Sequence, residues 1–148
     1  DRDADEITYD LWHGYTKLER EGITPRYAFG HGLSYAAFAY SALQGSVAGG
    51  QIEVSVAVRN TGAVAAEEVA QCYIGAPAVE AERAPKQLRG FERVTLRAGQ
   101  TAVVRFSIPL DTLRWRDPQS HSWRLEHGTY RIHVGGSSQT SLVATVTI

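Results

Sequence analysis

The sequence has a single cysteine and no methionine, and each scarcity restricts what the chain can be. Cys72 cannot form an internal disulfide, and its place in the run Val69 to Ile74 predicts a buried small side chain rather than a nucleophile. Since the chain opens at Asp1, we expect a processed product or a piece of a longer protein. Its acidic start is unlike a signal peptide. The compartment stays open between a periplasmic or secreted location and the cytoplasm.

Long apolar runs and an excess of one charge are also missing. No run approaches the roughly 20 apolar residues that span a bilayer, so we expect a soluble chain that does not enter a membrane. The 15 basic and 16 acidic side chains give a formal net charge of -1 and are interspersed along the chain. This balance predicts no phosphate-tracking surface, and nucleic acid is therefore not an expected partner.

The residue patterns of a catalytic or metal site do not occur. None of the histidines stands in metal-ligand spacing, and no Gly-x-Ser-x-Gly elbow is present. We therefore predict no catalytic residue, no cofactor and no metal. The carboxylate pairs Glu67-Glu68 and Glu80-Glu82, and the arginines around Trp115, are interpreted as solvated surface. The histidines are His13, His31, His121, His127 and His133.

What the sequence does contain, from Ser46 onward, is a series of short β-type runs divided by turn residues. The pattern has period two, most clearly in Ile52–Val58 and Thr101–Ile108. It predicts an all-β fold, a two-sheet antiparallel sandwich, with Trp123 and Tyr130 in its core. The other predicted strands are Glu67–Ile74, Leu88–Leu96, Tyr130–Val134 and Leu142–Ile148, with a short hairpin from Leu113–Trp115 to Ser122–Leu125.

The first 45 residues are instead rich in aromatic side chains, and Lys17–Gly22 is typical of a turn or a short helix. Pro25–Tyr35 places three rings among two glycines and a proline, which predicts an extended arm rather than a regular element. We expect the rings to anchor the arm on a neighbouring domain. The predicted interdomain packing residues are Trp12, Tyr15, Tyr27, Phe29, Tyr35 and Phe38.

Three segments carry a family resemblance. Pro25–Tyr35 followed by Phe38 and Tyr40 resembles the P-x-(Y/F)-x-F-G-x-G-L-S-Y-x-x-F-x-Y pattern that joins the α/β domain of glycoside hydrolase family 3 enzymes to their fibronectin type III-like domain. Pro85–Phe91 is similar to that domain's P-x-(K/Q)-x-L-(K/R)-G-F motif, and Trp123–Ser138 is similar to its closing stretch. The resemblance covers nearly the whole chain.

This resemblance implies a C-terminal fibronectin type III/immunoglobulin-like sandwich at residues 38–148, preceded at residues 1–37 by the tail of an α/β domain and a linker arm. It implies a parent enzyme of the β-glucosidase or β-xylosidase type, which hydrolyses terminal β-glycosidic bonds with two carboxylates. No position here matches the motif of either carboxylate, so the chain alone is not expected to be an enzyme. Its expected partners are the catalytic domains of the parent, which it stabilises.

Other roles stay open at this point. The domain could also aid oligomerisation, or shape the active-site mouth through the loop at residues 78–84, where a β-linked oligosaccharide would be a partner. The alternative function is a carbohydrate-binding module with exposed aromatic rings in a row. An adhesion-type module is disfavoured by the aromatic arm.

Overall fold

The computed structural model describes residues 11–78 and 81–148, which form two antiparallel β-sheets packed face to face and one short helix. This confirms the predicted all-β sandwich. A 3₁₀ turn at Leu110–Leu113 follows the fifth strand. In chain order, the elements are helix α1 (Gly14–Arg20) and strands β1 (Phe38–Ala48), β2 (Gln51–Asn60), β3 (Ala66–Gly75), β4 (Gln87–Leu96), β5 (Thr101–Pro109), β6 (Trp115–Arg116), β7 (Trp123–Arg124), β8 (Thr129–Gly135) and β9 (Leu142–Thr147).

The strands are divided between two sheets. Sheet A has the order β1-β2-β5, and sheet B has the order β4-β3-β8-β9. All neighbouring strands pair antiparallel. Strands β6 and β7 form a separate two-residue hairpin outside both sheets. Because β3 pairs with β8 while β5 joins the opposite sheet, the chain crosses between the layers and ties them into one unit.

The core lies between the sheets and follows the predicted alternation. In β2 and β5 every second residue is buried, while in β8 the sequence Tyr130, Ile132 and Val134 is fully enclosed. Cys72 is also fully buried, as predicted. Burial of each large apolar side chain contributes about 1.5–3 kcal/mol. The most enclosed core residues are Ile52, Val56, Val58, Cys72, Leu96, Ile108, Tyr130, Ile132 and Val134.

Strand β1 was not recognised as a strand from the sequence. Its inward positions are Phe38 and Tyr40 on one side of an irregularity and Leu43 and Gly45 on the other. The pairing with β2 shifts between Ser41 and Gln44, where Ala42 has a positive φ of 51°. The bulge changes which positions face inward, so the period-two pattern is interrupted in the middle of the strand.

The prediction that Trp123 fills the core is wrong. Its side chain is 60% exposed, because β7 pairs only with β6 and no sheet covers that hairpin. Tyr130 does lie in the core, where its hydroxyl donates a hydrogen bond to the Glu126 carbonyl at 2.6 Å.

The two outer faces of the sandwich differ in chemistry. On sheet A the outward residues of β2 and β5 are mostly polar, and the Ser107 hydroxyl donates to the Glu53 carboxylate at 2.7 Å. On sheet B the outward residues include Val69, Phe91 and Val143, which are 40%, 69% and 57% exposed. Sheet B therefore carries the more apolar outer surface.

Candidate functional site

Helix α1 is held on sheet B by the ring of Tyr15. This ring stacks on Phe29 with centroids 5.1 Å apart and meets Tyr73 edge-on at 5.8 Å. The Leu88 backbone N–H donates to the Tyr15 hydroxyl at 2.9 Å. A seven-residue helix is too short to be stable alone, so these contacts hold it in place.

The part of the chain that the structure describes contains no helix with the length and apolar character of a membrane span.

The arm then crosses the outer face of β3 at a glycine. Gly30 has a φ of +82°, and a Cβ at this position would lie 2.2 Å from Nε2 of Gln71. Gln71 is held from the other side, since its Nε2 donates to the Gly136 carbonyl at 2.9 Å and its Oε1 accepts from the Tyr73 hydroxyl at 2.5 Å. One residue earlier, the Phe29 carbonyl accepts from the Ser138 N–H at 2.8 Å. These contacts at Phe29 and Gly30 attach the arm to its own sandwich, and we call them the strap.

The six predicted packing residues fall into three groups. Trp12, Tyr15 and Phe29 lie near helix α1, where Trp12 is 8% exposed beneath the guanidinium of Arg20, 4.5 Å from its ring centroid. Phe38 packs against the sandwich core. Part of the surface under the arm is thus the chain's own sandwich, which the sequence did not indicate. The remaining rings are exposed: Tyr27 at 64% and Tyr35 at 101%.

The loop at residues 78–84 is tied to helix α1 by ion pairs, in the part that the structure describes. Glu82 pairs with Arg20 at 2.5 Å, and just beyond the loop Lys86 pairs with Glu19 at 3.0 Å. Arg83 donates through Nη2 to the Leu113 carbonyl at 2.5 Å, while its Nη1 lies 3.7 Å from the buried Glu126 carboxylate. Glu80, one of the carboxylates considered above, lies outside the described residues.

Strand β4 has a bulge where it meets this loop. The pairing of β3 with β4 passes from Cys72 opposite Gly90 to Tyr73 opposite Leu88, so Arg89 is an extra residue on β4. Arg89 lines an open groove of about 990 Å³ between helix α1, the loop and the β6–β7 hairpin. We call this the arginine groove; its principal lining residues are Trp12, Arg83, Arg89, Arg114, Trp115 and Arg116.

The arginine groove contains buried hydrogen-bond donors that have no partner among the described residues. Within the part of the chain that the structure describes, three such donor atoms belong to the lining residues: Nη1 of Arg83, Nε of Arg89 and Nε1 of Trp115. Burial, and then the charge of Arg83, lower the pKa of Arg89. Arg114 and Arg116 are both exposed, and both also line the groove.

No metal-ligand group is formed by the described residues. Among residues 11–78 and 81–148, no group of three His, Cys, Asp or Glu side chains could hold a metal ion. Of the paired carboxylates, Glu67 is exposed and bonds Arg93, while Glu68 is half-buried and accepts a hydrogen bond from the Tyr40 hydroxyl at 2.6 Å. Burial and this contact raise the pKa of Tyr40. The hydrogen bond between Tyr40 and Glu68 therefore joins β1 to β3, which is a structural role.

Comparisons with known proteins agree on one family. Residues 68–138 match the model of the fibronectin type III-like domain. Over 93% of its length the chain is 38% identical to probable β-glucosidase L of Aspergillus fumigatus. In structure it is similar to β-glucosidase 3B of Thermotoga neapolitana, with a TM-score of 0.87 and 34% identity over 93% of the chain. It is also similar to the GH3 β-glucosidase of Bifidobacterium adolescentis, with a TM-score of 0.85 and 31% identity over 91% of the chain.

These matches cover only part of each relative. The chain spans 21% of the Aspergillus protein, 19% of the Thermotoga chain and 20% of the Bifidobacterium chain. The family model and both structures therefore agree on a β-sandwich domain that makes up about a fifth of a larger protein.

Proposed function

Residues 68–138 belong to the fibronectin type III-like domain family, in the form carried by family 3 β-glucosidases, and on that premise we propose that the chain packs on and stabilises the catalytic domains of a longer β-glycosidase. The chain accounts for about a fifth of such a protein and does not include its catalytic domains. Hydrolysis of terminal β-glycosidic bonds would be the activity of the longer protein. The names of the relatives support that assignment.

The observation that carries this proposal is the exposure of the arm. Leu33 and Tyr35 are 96% and 101% exposed, and Tyr27 and Phe29 are at least half exposed. The backbone that presents them is nevertheless attached to the sandwich, at Phe29 to Ser138 in the connection between β8 and β9 and at Gly30 to Gln71 of β3. A fixed apolar surface of this kind is typical of an interaction site.

The chemistry of the two faces indicates which side would be covered. The arm contacts sheet B at Gly30, and Leu33 lies near Val69. Both Val69 and Phe91 are exposed on the outer face of that sheet. The outer face of sheet A carries charged and hydroxyl side chains that suit contact with water. We therefore expect the catalytic domains to contact sheet B and its arm. Interfaces between domains of one chain commonly bury such mixed surfaces.

The test replaces the most exposed residues of the arm in the longer protein. The double variant Leu33→Ser, Tyr35→Ser should lower the melting temperature of the catalytic domains, since burial of each side chain is worth about 1.5–3 kcal/mol. The melting temperature of the 148-residue chain should not change, because both side chains are exposed there. Differential scanning calorimetry of both proteins measures the two effects.

Val103→Ser is the matched control, because Val103 is 54% exposed on the outer face of sheet A. It should leave both melting temperatures unchanged. If the double variant leaves the longer protein as stable as the Val103→Ser control, the arm packs on nothing and the proposal fails.

A carbohydrate-binding module is the second candidate, and the exposure of Trp123 favours it. This side chain is 60% exposed on the β6–β7 hairpin, whereas Trp12 is buried. Soluble β-glucan or xylo-oligosaccharide added to the 148-residue chain should then quench tryptophan fluorescence, with the effect lost in Trp123→Ala. An unchanged spectrum removes this candidate. Oligomerisation, and shaping of the active-site mouth through the loop at residues 78–84, remain further proposed roles of the same domain.

A further inference from the structure

We propose that the arginine groove is the docking site for a carboxylate-bearing segment of the catalytic domains, a proposal that rests on the function proposed above. The proposed occupant is a loop or a strand end with acidic side chains. Its carboxylate oxygens would accept hydrogen bonds from donors of the groove that have no partner among the described residues. The arm would supply apolar contact, and the groove would supply the specific charged contact.

The charge of the groove supports an acidic occupant. Within the described residues, four arginines line it, and the one carboxylate in its lining, that of Glu82, is already paired with Arg20. Arg83 and Arg114 have carboxylate partners in Glu126 and Asp111. Among the described residues, Arg89 donates to the neutral Gln87 side chain, and no carboxylate pairs with Arg89 or Arg116. Arginine suits carboxylates in particular, because its planar donors match both carboxylate oxygens.

The unmade hydrogen bonds support the same conclusion independently. Nε of Arg89 and Nε1 of Trp115 are buried atoms without a partner among the described residues. A buried donor left without an acceptor costs about 1–3 kcal/mol. Both atoms belong to residues that line the groove, and a rotation of either side chain towards an acceptor on the occupant would remove this cost.

The geometry of the groove suits a polypeptide segment. Its volume is about 990 Å³ and it is open to solvent. Its walls are fixed, because the ion pairs of Glu82 and Lys86 hold the loop to helix α1. Aromatic side chains of Trp12, Trp115 and Trp123 also line it and would cover the aliphatic part of an acidic side chain. Charged contacts in such a preformed site select the partner and its orientation.

Cysteine labelling can test this proposal, since the natural Cys72 is fully buried and gives little background. Thr112→Cys places a thiol in the groove, Leu33→Cys places one on the arm, and Val103→Cys places one on the outer face of sheet A. Each is labelled with a thiol reagent in the 148-residue chain and in the longer protein. We expect labelling at 112 and 33 to be at least about tenfold slower in the longer protein, and labelling at 103 to be equal in both.

The chemistry of the occupant is tested by changing one charge at the rim. Arg116→Glu should restore labelling at 112 in the longer protein, while Arg116→Lys should keep it slow. Arg105→Glu, on the outer face of sheet A, is the matched control and should have no effect. Slow labelling that Arg116→Glu leaves unchanged would overturn the carboxylate partner.

The remaining outcomes separate this inference from the function on which it rests. A groove thiol that labels equally fast in both proteins, beside a protected arm thiol, overturns the groove as a docking site and leaves the proposed function standing. Equal labelling at both positions overturns both. A third outcome is that the Thr112→Cys thiol labels rapidly in the longer protein but slowly in the 148-residue chain when an acidic oligosaccharide is added. The groove would then be a ligand site and not a docking site, which overturns this inference.

Discussion

The Tyr15 hydroxyl accepts a hydrogen bond from the Leu88 backbone N–H at 2.9 Å. This contact joins the segment before β1 (residues 11–37), which we call the leader, to the bulge of β4. At the bulge, Arg89 interrupts the regular pairing of β3 with β4. The side chain of a residue 73 positions away thus satisfies a backbone group beside the interruption. The leader and the motif that begins at Pro85 are therefore one structural unit.

Tyr15→Phe should lower the free energy of unfolding by about 1 kcal/mol, because it leaves the Leu88 N–H without its acceptor. The ring contacts with Phe29 and Tyr73 are preserved in this variant. Urea denaturation of the 148-residue chain, followed by tryptophan fluorescence, measures the change. Tyr27→Phe removes a hydroxyl from an exposed ring and should have no effect. Equal stability of the two variants would contradict a structural role for the Tyr15 hydroxyl.

Gly30→Ala should destabilise the strap between the arm and β3 by roughly 1–3 kcal/mol. The new Cβ would lie 2.2 Å from the Gln71 amide, and the backbone there has a φ of +82°. Gln71 would have to move away from Gly136 and Tyr73, which exposes more of the Tyr73 ring. Hydrogen exchange of the Ser138 N–H, which donates to the Phe29 carbonyl, reports on the strap directly.

Gly32→Ala is the control for this variant, because no atom lies within 4 Å of the Cβ it would add. It should leave both the stability and the exchange rate unchanged. Exchange that is equally slow in Gly30→Ala would show that the arm does not need glycine at this crossing.

The stability of the chain should fall as the pH drops from about 6.5 towards 4, in part because of His133. Burial, followed by the charges of Lys86 and Arg131, lowers the pKa of His133 to about 4 in the folded chain. The unfolded chain therefore takes up the proton at a higher pH than the folded chain does. The stabilising contribution is complete above about pH 6.5 and is lost as the pH approaches 4.

His133→Gln should make the free energy of unfolding less dependent on pH in that interval, measured by urea denaturation at several pH values. His127→Gln changes an exposed histidine and should keep the slope of the natural chain. An unchanged slope in His133→Gln would show that other groups cause the loss of stability.

Cys72 should react with thiol reagents only when the chain unfolds. Its side chain is fully buried, and burial raises its pKa to about 12. At pH 8 the thiolate would then be about one part in ten thousand, and the reagent has no access to it. Labelling with a coloured disulfide reagent should be slow in buffer and rapid in urea. Rapid labelling of the folded chain would mean that the core between the sheets opens readily.

The sequence predicted the strands that have one buried face and a regular pairing. The expected strand 52–58 is observed as Gln51–Asn60, and the expected strand 101–108 as Thr101–Pro109. Each of these has a regular ladder, so alternation persists along its length. Strand β1 escaped prediction because the bulge at Ala42 changes which of its residues face inward. Trp123 was placed wrongly because its exposure depends on what covers the hairpin, which local pattern does not encode.

The candidate site was only partly predictable, for a related reason. Aromatic density identified the arm as a special segment, but the contact of Tyr15 with Tyr73 joins residues 58 positions apart and has no local signal. The arginine groove brings together the bulge at Arg89, the loop at Arg83 and the hairpin at Trp115. In the sequence each of these looks like ordinary polar surface, and only the fold makes them neighbours. The packing roles of the six predicted aromatic residues remain predictions.

The strap at Phe29 and Gly30 also has a mechanical consequence. A pulling force on the amino end of the chain would meet the Tyr15 contacts and the Phe29–Ser138 hydrogen bond before it reached strand β1. These contacts would break one after another, while the two sheets of the sandwich stayed packed together. The strap would thus bear the force first, so that motion of a neighbouring domain is not transmitted to the core.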